Sequence, residues 1–169
     1  MTHLRPDGFA RALETTRSAG GLPALDVGLV IGEPVALDEL ASLLPNVDYL
    51  IGNTHELVTI TEAGSYAAAA ERLLAAGARS VVVKRGQDGA YVACAGEPVA
   101  VPAFPVDARI SVGAGDAFNV GFLYAIQRGR SAREAARFGS AVAALVVSSD
   151  RGVLGAPTLE DVETFLADR

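Results

Sequence analysis

Two glycines and an acid stand directly ahead of a long apolar run in the segment 111–127, which contains no proline. Gly113 and Gly115 can adopt positive φ angles and let a ligand approach the backbone closely. Apolar side chains then recur every four residues, at Phe118, Phe122 and Ile126, so one face of a helix can pack inward. The segment therefore predicts a tight turn that leads straight into a helix, and the rest of the fold has to accommodate both.

Asp116 falls in what would be the first turn of that helix. The backbone amides of residues 114–116 would be first-turn donors without an intrahelical partner, and such a helix terminus attracts phosphate. An acid at this place can be a capping residue or a partner of the helix dipole. Beside an anion site it can instead accept the proton of a hydroxyl that attacks a phosphoryl group. These residues alone leave both interpretations open.

A dinucleotide-binding loop is a further interpretation, because such loops carry the pattern Gly-x-Gly-x-x-Gly. The third glycine position holds Phe118, which is too bulky for close packing of a helix on a strand. Glu134 lies at about the right distance for a ribose-binding acid, but its neighbours predict a helix and not a strand end. The sequence gives this interpretation little support.

Apolar strand-like segments alternate with helical ones along the chain, which predicts an α/β fold with a largely parallel sheet. The predicted strands are 25–31, 47–51 and 80–84, with a hairpin partner at 90–95 after a turn at 85–89. The predicted helices are 7–19, 38–44, 62–76, 132–148 and 159–167 besides the central one. Ligands of open α/β sheets bind at the carboxyl ends of the strands. We therefore expect the polar segments 52–56, 84–89 and 111–116 to form one shared site.

Length and composition indicate one globular domain over residues 1–169. The formal net charge of −6 argues against a nucleic-acid partner, which would require a basic face. The single cysteine, Cys94, excludes an internal disulfide. No signal peptide and no membrane-length apolar run is visible, so we expect a cytoplasmic protein with no membrane partner.

The segment 110–118 resembles the second signature of the PfkB/ribokinase family of carbohydrate kinases, Asp-Thr-x-Gly-Ala-Gly-Asp-x-Phe. Ser111 stands for the Thr, and the resemblance extends over essentially the whole chain. It implies a ribokinase-like three-layer α/β/α fold with a mostly parallel sheet and a β-hairpin. It also implies that Asp116 is the catalytic base and that the amides of Gly113, Ala114 and Gly115 form the anion hole for the transferred phosphoryl group.

Two other segments resemble motifs of the same family. Asn53 and Glu56 match its Asn-x-x-Glu, which implies that they organise Mg²⁺ and its waters around ATP; taken alone, the pair is equally typical of a helix start. Lys84, Gly86 and Gly89 match the strand and glycine turn beside the nucleotide. The glycines would let the backbone approach the phosphates and ribose, and Lys84 is either a nucleotide contact or a solvated strand end.

The chain departs from the family pattern at two points. Ile110 replaces an Asp that helps to hold a monovalent cation in the family, so potassium activation is not expected. The chain also corresponds to roughly the C-terminal half of a usual member, so the fold would be truncated at its N-terminal side, without the lid and most sugar contacts.

The function that the resemblance implies is ATP-dependent phosphorylation of a sugar or sugar-phosphate hydroxyl. Alternatives are a catalytically incomplete nucleotide-binding module, and a kinase of a vitamin precursor or nucleoside. The exposed strand edges of a shortened sheet also predict a homodimer or a complementing N-terminal chain.

Overall fold

The computed structural model describes residues 6–28 and 36–169. The described chain divides into two compact units, one of residues up to 84 together with 92–98, and one of residues 85–91 and 99–169. Its five strands form one sheet in the order β1-β2-β3-β4-β5, and α-helices connect β1 to β2 and β2 to β3, as expected of the predicted α/β class. The prediction of a single domain over 1–169 stays a prediction.

The first unit is built on three parallel strands, β1 (Ala24–Asp26), β2 (Tyr49–Asn53) and β3 (Ser80–Lys84). In the register of β1 and β2, Leu25 pairs with Leu50. The register of β2 and β3 pairs Asn53 with Lys84. Their central residues are buried apolar side chains, as expected of parallel strands covered on both faces. Strand β1 is shorter than the predicted 25–31, and residues 29–31 lie outside the described residues.

The helices of the first unit are α1 (Pro6–Ser18), α2 (Leu37–Ala41), α3 (Thr54–Thr61) and α4 (Tyr66–Ala75). Helix α3 begins immediately after β2, so residues 54–56 of the expected polar segment are helical. The predicted helix 62–76 begins only at Tyr66, because Glu62 ends α3 in the left-handed conformation (φ 51°) and Ser65 caps α4.

A buried carboxylate connects α1 to the start of β2. Asp48 accepts hydrogen bonds from the guanidinium groups of Arg17 (3.1 Å) and Arg79 (3.2 Å). Two cations satisfy both oxygens of this carboxylate, which is the condition under which a buried charge is tolerated.

The predicted hairpin turn is present in the second unit. The amide of Arg85 donates to the carbonyl of Gly89 (2.8 Å), and strands β4 (Ala90–Cys94) and β5 (Val99–Val101) follow. Gly89 has a φ of 87°, and a Cβ on it would lie 2.0 Å from the carbonyl oxygen of Val101. Both the conformation and the lack of space require glycine at this position.

Three helices make up most of the second unit: α5 (Ala114–Gln127), α6 (Ala132–Ser148) and α7 (Leu159–Ala167). Helices α5 and α6 approach closely at two glycines. A Cβ on Gly139 would lie 2.8 Å from the carbonyl oxygen of Phe118, and one on Gly121 would lie 2.9 Å from the Cα of Gly139. Among the described residues no helix combines the length and hydropathy that crossing a membrane requires.

Candidate active site

The predicted turn and helix are present at residues 111–127. Helix α5 begins at Ala114, and Gly113 precedes it in the left-handed conformation (φ 82°, ψ 0°). A Cβ on Gly113 would lie 2.1 Å from Cγ1 of Val153, so both backbone conformation and space select glycine here. Asp116 lies in the first turn of the helix and is exposed.

The amides at the start of α5 are only partly engaged. Ala114 donates its amide to the carbonyl of Ser111 (3.2 Å), and Ala117 donates to Gly113 (2.9 Å). In the part of the chain that the structure describes, neither Gly115 nor Asp116 donates its amide to a backbone carbonyl. The helix therefore begins with amide donors that an anion can accept, at the positive end of the helix dipole.

The Asp116 carboxylate makes no ion pair with any residue in the ranges 6–28 and 36–169. A carboxylate engaged with an internal cation would be a structural residue, whereas an exposed one can receive a proton from a bound molecule.

Asn53 and Glu56 form a reciprocal capping box at the start of α3. Asn53 Oδ1 accepts the amide of Glu56 (2.9 Å), and Glu56 Oε2 accepts the amide of Asn53 (2.6 Å). This arrangement is the helix-start pair that the sequence allowed as an alternative. The box leaves Glu56 Oε1 outside it, on a half-buried side chain.

The residues at this helix start fit Mg²⁺ if the ion keeps most of its water. Within the described ranges, no group of three His, Cys, Asp or Glu side chains is close enough to enclose a metal ion. Mg²⁺ commonly binds proteins through one or two carboxylates and retains several waters. Glu56 Oε1 is an oxygen of that kind, and Asn53 is held beside it by the cap; His55 is exposed.

Lys84 lies at the end of β3, in register with Asn53 at the end of β2. Its ammonium Nζ lies 3.2 Å from both carboxylate oxygens of Asp26, the last residue of β1. The Lys84 side chain is only 15% exposed, so it is not a freely solvated strand end. Sequence reasoning missed Asp26 as a partner, although the carboxyl ends of parallel strands share one edge of the sheet.

The two turn glycines differ in their surroundings. Gly86 is exposed (φ 58°), and nothing lies within 4 Å of where its Cβ would be, so a ligand can approach its backbone. Gly89 packs against backbone atoms of residues 101–103, which explains the glycine without a ligand. Their roles in nucleotide binding stay predictions, as does the single site expected from segments 52–56, 84–89 and 111–116.

The Ile110 side chain offers no oxygen ligand to a monovalent cation, so the expectation about potassium stays a prediction. Its side chain packs against Gly152, whose Cβ would lie 3.2 Å from Cγ2 of Ile110. Hydrocarbon offers no ligand to a cation, whereas carboxylate and carbonyl oxygens do.

The α5 turn and the strand-end residues agree with one family of known proteins. The family model described as pfkB family carbohydrate kinase matches residues 2–159. The chain belongs to this family. The relationship confirms the resemblance that the segment 110–118 indicated.

Individual pfkB relatives match over nearly the whole chain. An ATP-dependent ribose-1-phosphate kinase of Halopiger xanaduensis is 32% identical over 169 residues, covering 100% of this chain and 54% of the relative. The structure of Arabidopsis thaliana ribokinase with ribose and ATP is 25% identical and superposes with a TM-score of 0.83, over 96% of this chain and 53% of that one. A structure attributed to an E. coli ribokinase II with ATP and Mg²⁺ is also 25% identical, with a TM-score of 0.82, over 97% of this chain and 54% of that one.

These superpositions confirm the ribokinase-like fold. The chain spans about half the length of each of these relatives.

Proposed function

We propose that this pfkB chain takes part in ATP-dependent transfer of a phosphoryl group to a sugar or sugar-phosphate hydroxyl. The observation that carries the proposal is the start of α5, where an exposed carboxylate follows a turn that only glycine can form. Family membership and relatives named as ribose-1-phosphate kinase and ribokinase support a sugar acceptor.

Asp116 is the proposed general base. Its carboxylate accepts the proton of the acceptor hydroxyl while the hydroxyl oxygen bonds to the γ-phosphorus of ATP and the bond to the β-phosphate oxygen breaks. The proton then passes to water, because Asp116 is exposed.

The amides at the start of α5 supply the anion site of the proposal. Gly113, Gly115 and Asp116 offer donors to the oxygens of the transferred phosphoryl group, with Ala114 partly held by Ser111. These donors are fixed before ATP binds, so they stabilise developing charge without reorganisation.

Glu56 and Asn53 are the residues that would hold Mg²⁺, through Glu56 Oε1 and intervening waters. The bound ion would neutralise charge on the phosphate oxygens. Lys84 and the open backbone at Gly86 are proposed to contact the nucleotide. Involvement of a second copy or a complementing chain belongs to the same proposal and is tested by sedimentation of the chain with and without ATP.

The test is ADP release by the wild-type chain and by Asp116→Asn over a panel of sugars, sugar phosphates, nucleosides and vitamin precursors. We expect turnover with a sugar-type acceptor and a loss of about 100-fold or more in the variant, since a general base contributes about 10²–10⁴-fold. Asp168→Asn is the matched control, because Asp168 is equally exposed but ends α7.

Three outcomes would contradict the proposal in different ways. Full turnover by Asp116→Asn would refute the role of the base. Turnover only with nucleosides or vitamin precursors would replace the acceptor class. ATP binding by calorimetry without turnover on any acceptor would favour the nucleotide-binding module.

A further inference from the structure

Two segments of the second unit contact each other beside the turn that precedes α5. Residues 109–113 lead into α5, and residues 147–153 comprise the last two residues of α6 and the segment after it; we call the contacts between these two segments the clasp. The amides of Arg109 (2.7 Å) and Ile110 (3.2 Å) both donate to the carbonyl of Val147. The guanidinium of Arg109 also pairs with the carboxylate of Asp150. The clasp therefore has polar contacts at its first positions.

Its remaining contacts are apolar and lie nearer the turn. Ile110 packs against Gly152, which is itself in the left-handed conformation (φ 51°). One residue further along, Val153 places Cγ1 on Gly113, in the space that a Cβ would occupy. The contacts occur in the same order along both segments, so the segment after α6 lies alongside the turn over several residues.

Val153 lies in a short 3₁₀ helix, Gly152–Gly155, and hydrogen bonds to Ser149 fix the residues at the start of that helix. The amide of Arg151 donates to Ser149 Oγ (3.1 Å), and the amide of Gly152 donates to the carbonyl of Ser149 (3.3 Å). A segment held in this way can transmit a fixed position to the residue that it covers, which a freely moving loop cannot.

We infer that Val153 is a positioning residue for the anion site: by packing on Gly113 it holds the turn that aims the first amides of α5. We infer further that direct contacts of the clasp do this without a bound monovalent ion. The inference rests on the proposed function and adds to it a residue that acts through Gly113.

Position, and not burial, makes Val153 rather than the ion pair the main contact for the turn, since Val153 is itself 49% exposed. Arg109 and Asp150 are 56% and 77% exposed, and exposed ion pairs contribute little to stability. The contact of Val153 with Gly113 lies at the residue whose φ sets the direction of the following amides. A displacement of about 1 Å at a catalytic group can cost about 100-fold in rate, so a smaller shift has a measurable effect.

The test compares Val153→Ala with Val120→Ala. Val120 lies on α5, is 67% exposed and loses the same atoms, so it is a matched control. We expect Val153→Ala to lower kcat about 3- to 30-fold with the KM for ATP within about twofold, because the amides act chiefly on the transition state. Val153→Ile, which retains the branched contact, should restore kcat. Equal kcat in Val153→Ala and wild type would overturn the inference.

The ion-free part of the inference has its own measurement. Replacing K⁺ by tetramethylammonium should leave kcat within about twofold, because Ile110 occupies the place beside Gly152 with hydrocarbon. An increase of about tenfold or more on adding K⁺ would overturn it.

A readout without turnover separates this inference from the proposed function. Hydrogen exchange at the amides of Ala114 and Ala117, which donate to the carbonyls of Ser111 and Gly113, should be about threefold faster or more in Val153→Ala than in wild type, and unchanged in Val120→Ala. Thermal unfolding establishes that both variants are folded. Unchanged exchange would refute the positioning role even if no acceptor is phosphorylated, and faster exchange without turnover would refute only the proposed function.

Discussion

Lys84 is the only lysine of the chain, so a single substitution removes the ammonium group that pairs with Asp26. Two charges 3.2 Å apart attract each other by about 1 kcal/mol in water and by about 5 kcal/mol at an effective dielectric constant of about 20. The side chains are 15% and 35% exposed, so the pair lies between these limits, and desolvation offsets part of the attraction. We expect a net coupling energy of about 1–2 kcal/mol, above the roughly 0.2–1 kcal/mol of exposed pairs.

A double-mutant cycle in urea measures that coupling: Lys84→Met, Asp26→Asn and the double variant. Methionine retains the apolar stem of the lysine, so the cycle isolates the charge. Asp26→Asn should destabilise more than Lys84→Met, because it leaves an ammonium that is 15% exposed without its anion. Additive single-variant effects, with a coupling below about 0.3 kcal/mol, would refute the reasoning.

The single lysine also allows a direct test of its proposed nucleotide contact. Reductive methylation with ¹³C-formaldehyde labels Lys84 and the amino terminus only. Adding ATP and Mg²⁺ should shift the Lys84 methyl resonance. An unshifted Lys84 resonance at a nucleotide concentration that calorimetry shows to be saturating would exclude the contact.

Three further predictions follow from packing and titration. In a urea titration, Gly139→Ala should lower the free energy of unfolding by about 1–3 kcal/mol, because the added Cβ would meet the backbone of α5. Gly8→Ala is the control: it has open space around it in α1, so it should be neutral or stabilising. Burial raises the pKa of Tyr49. The contribution of its neutral form to the stability of the fold is therefore complete below the ordinary tyrosine pKa and is lost as pH rises through the raised value. Phenolate absorbance should show a late-titrating tyrosine that Tyr49→Phe removes. Hydrogen bonds from Ser131 in the α6 cap lower the pKa of Glu134. The contribution of its ionised form to the stability of the fold is therefore present above the ordinary glutamate pKa and is lost as pH falls through the lowered one. Glu134→Gln should reduce the fall in Tm between about pH 5 and pH 3.

Local rules were sufficient for the α5 turn and for β3. Gly113 and the four-residue spacing of apolar side chains predicted the start of α5 correctly, because the backbone conformation at that point depends on glycine. Strand β3 carries a run of valines bounded by polar residues, and its observed range, Ser80–Lys84, is the predicted one.

The remaining features depend on contacts between particular side chains, which rules based on local sequence do not predict. The sequence left the start of α3 open, because Asn53 and Glu56 could be metal ligands or a helix-start pair; their reciprocal hydrogen bonds begin a helix at once. The Lys84–Asp26 pair joins residues 58 positions apart, so only the sheet register brings them together. Val153 likewise contacts Gly113, forty positions earlier in the chain, and can do so only because Gly113 has no Cβ.

The central claim is that Asp116 acts on the acceptor hydroxyl and not in nucleotide binding. Single-turnover phosphoryl transfer at saturating ATP and Mg²⁺, measured together with the calorimetric Kd for ATP, separates the two steps in Asp116→Asn. The account predicts that the transfer rate falls about 100-fold or more while the Kd stays within about twofold. An unchanged transfer rate would contradict it, and so would a loss of transfer that is fully explained by weaker ATP binding.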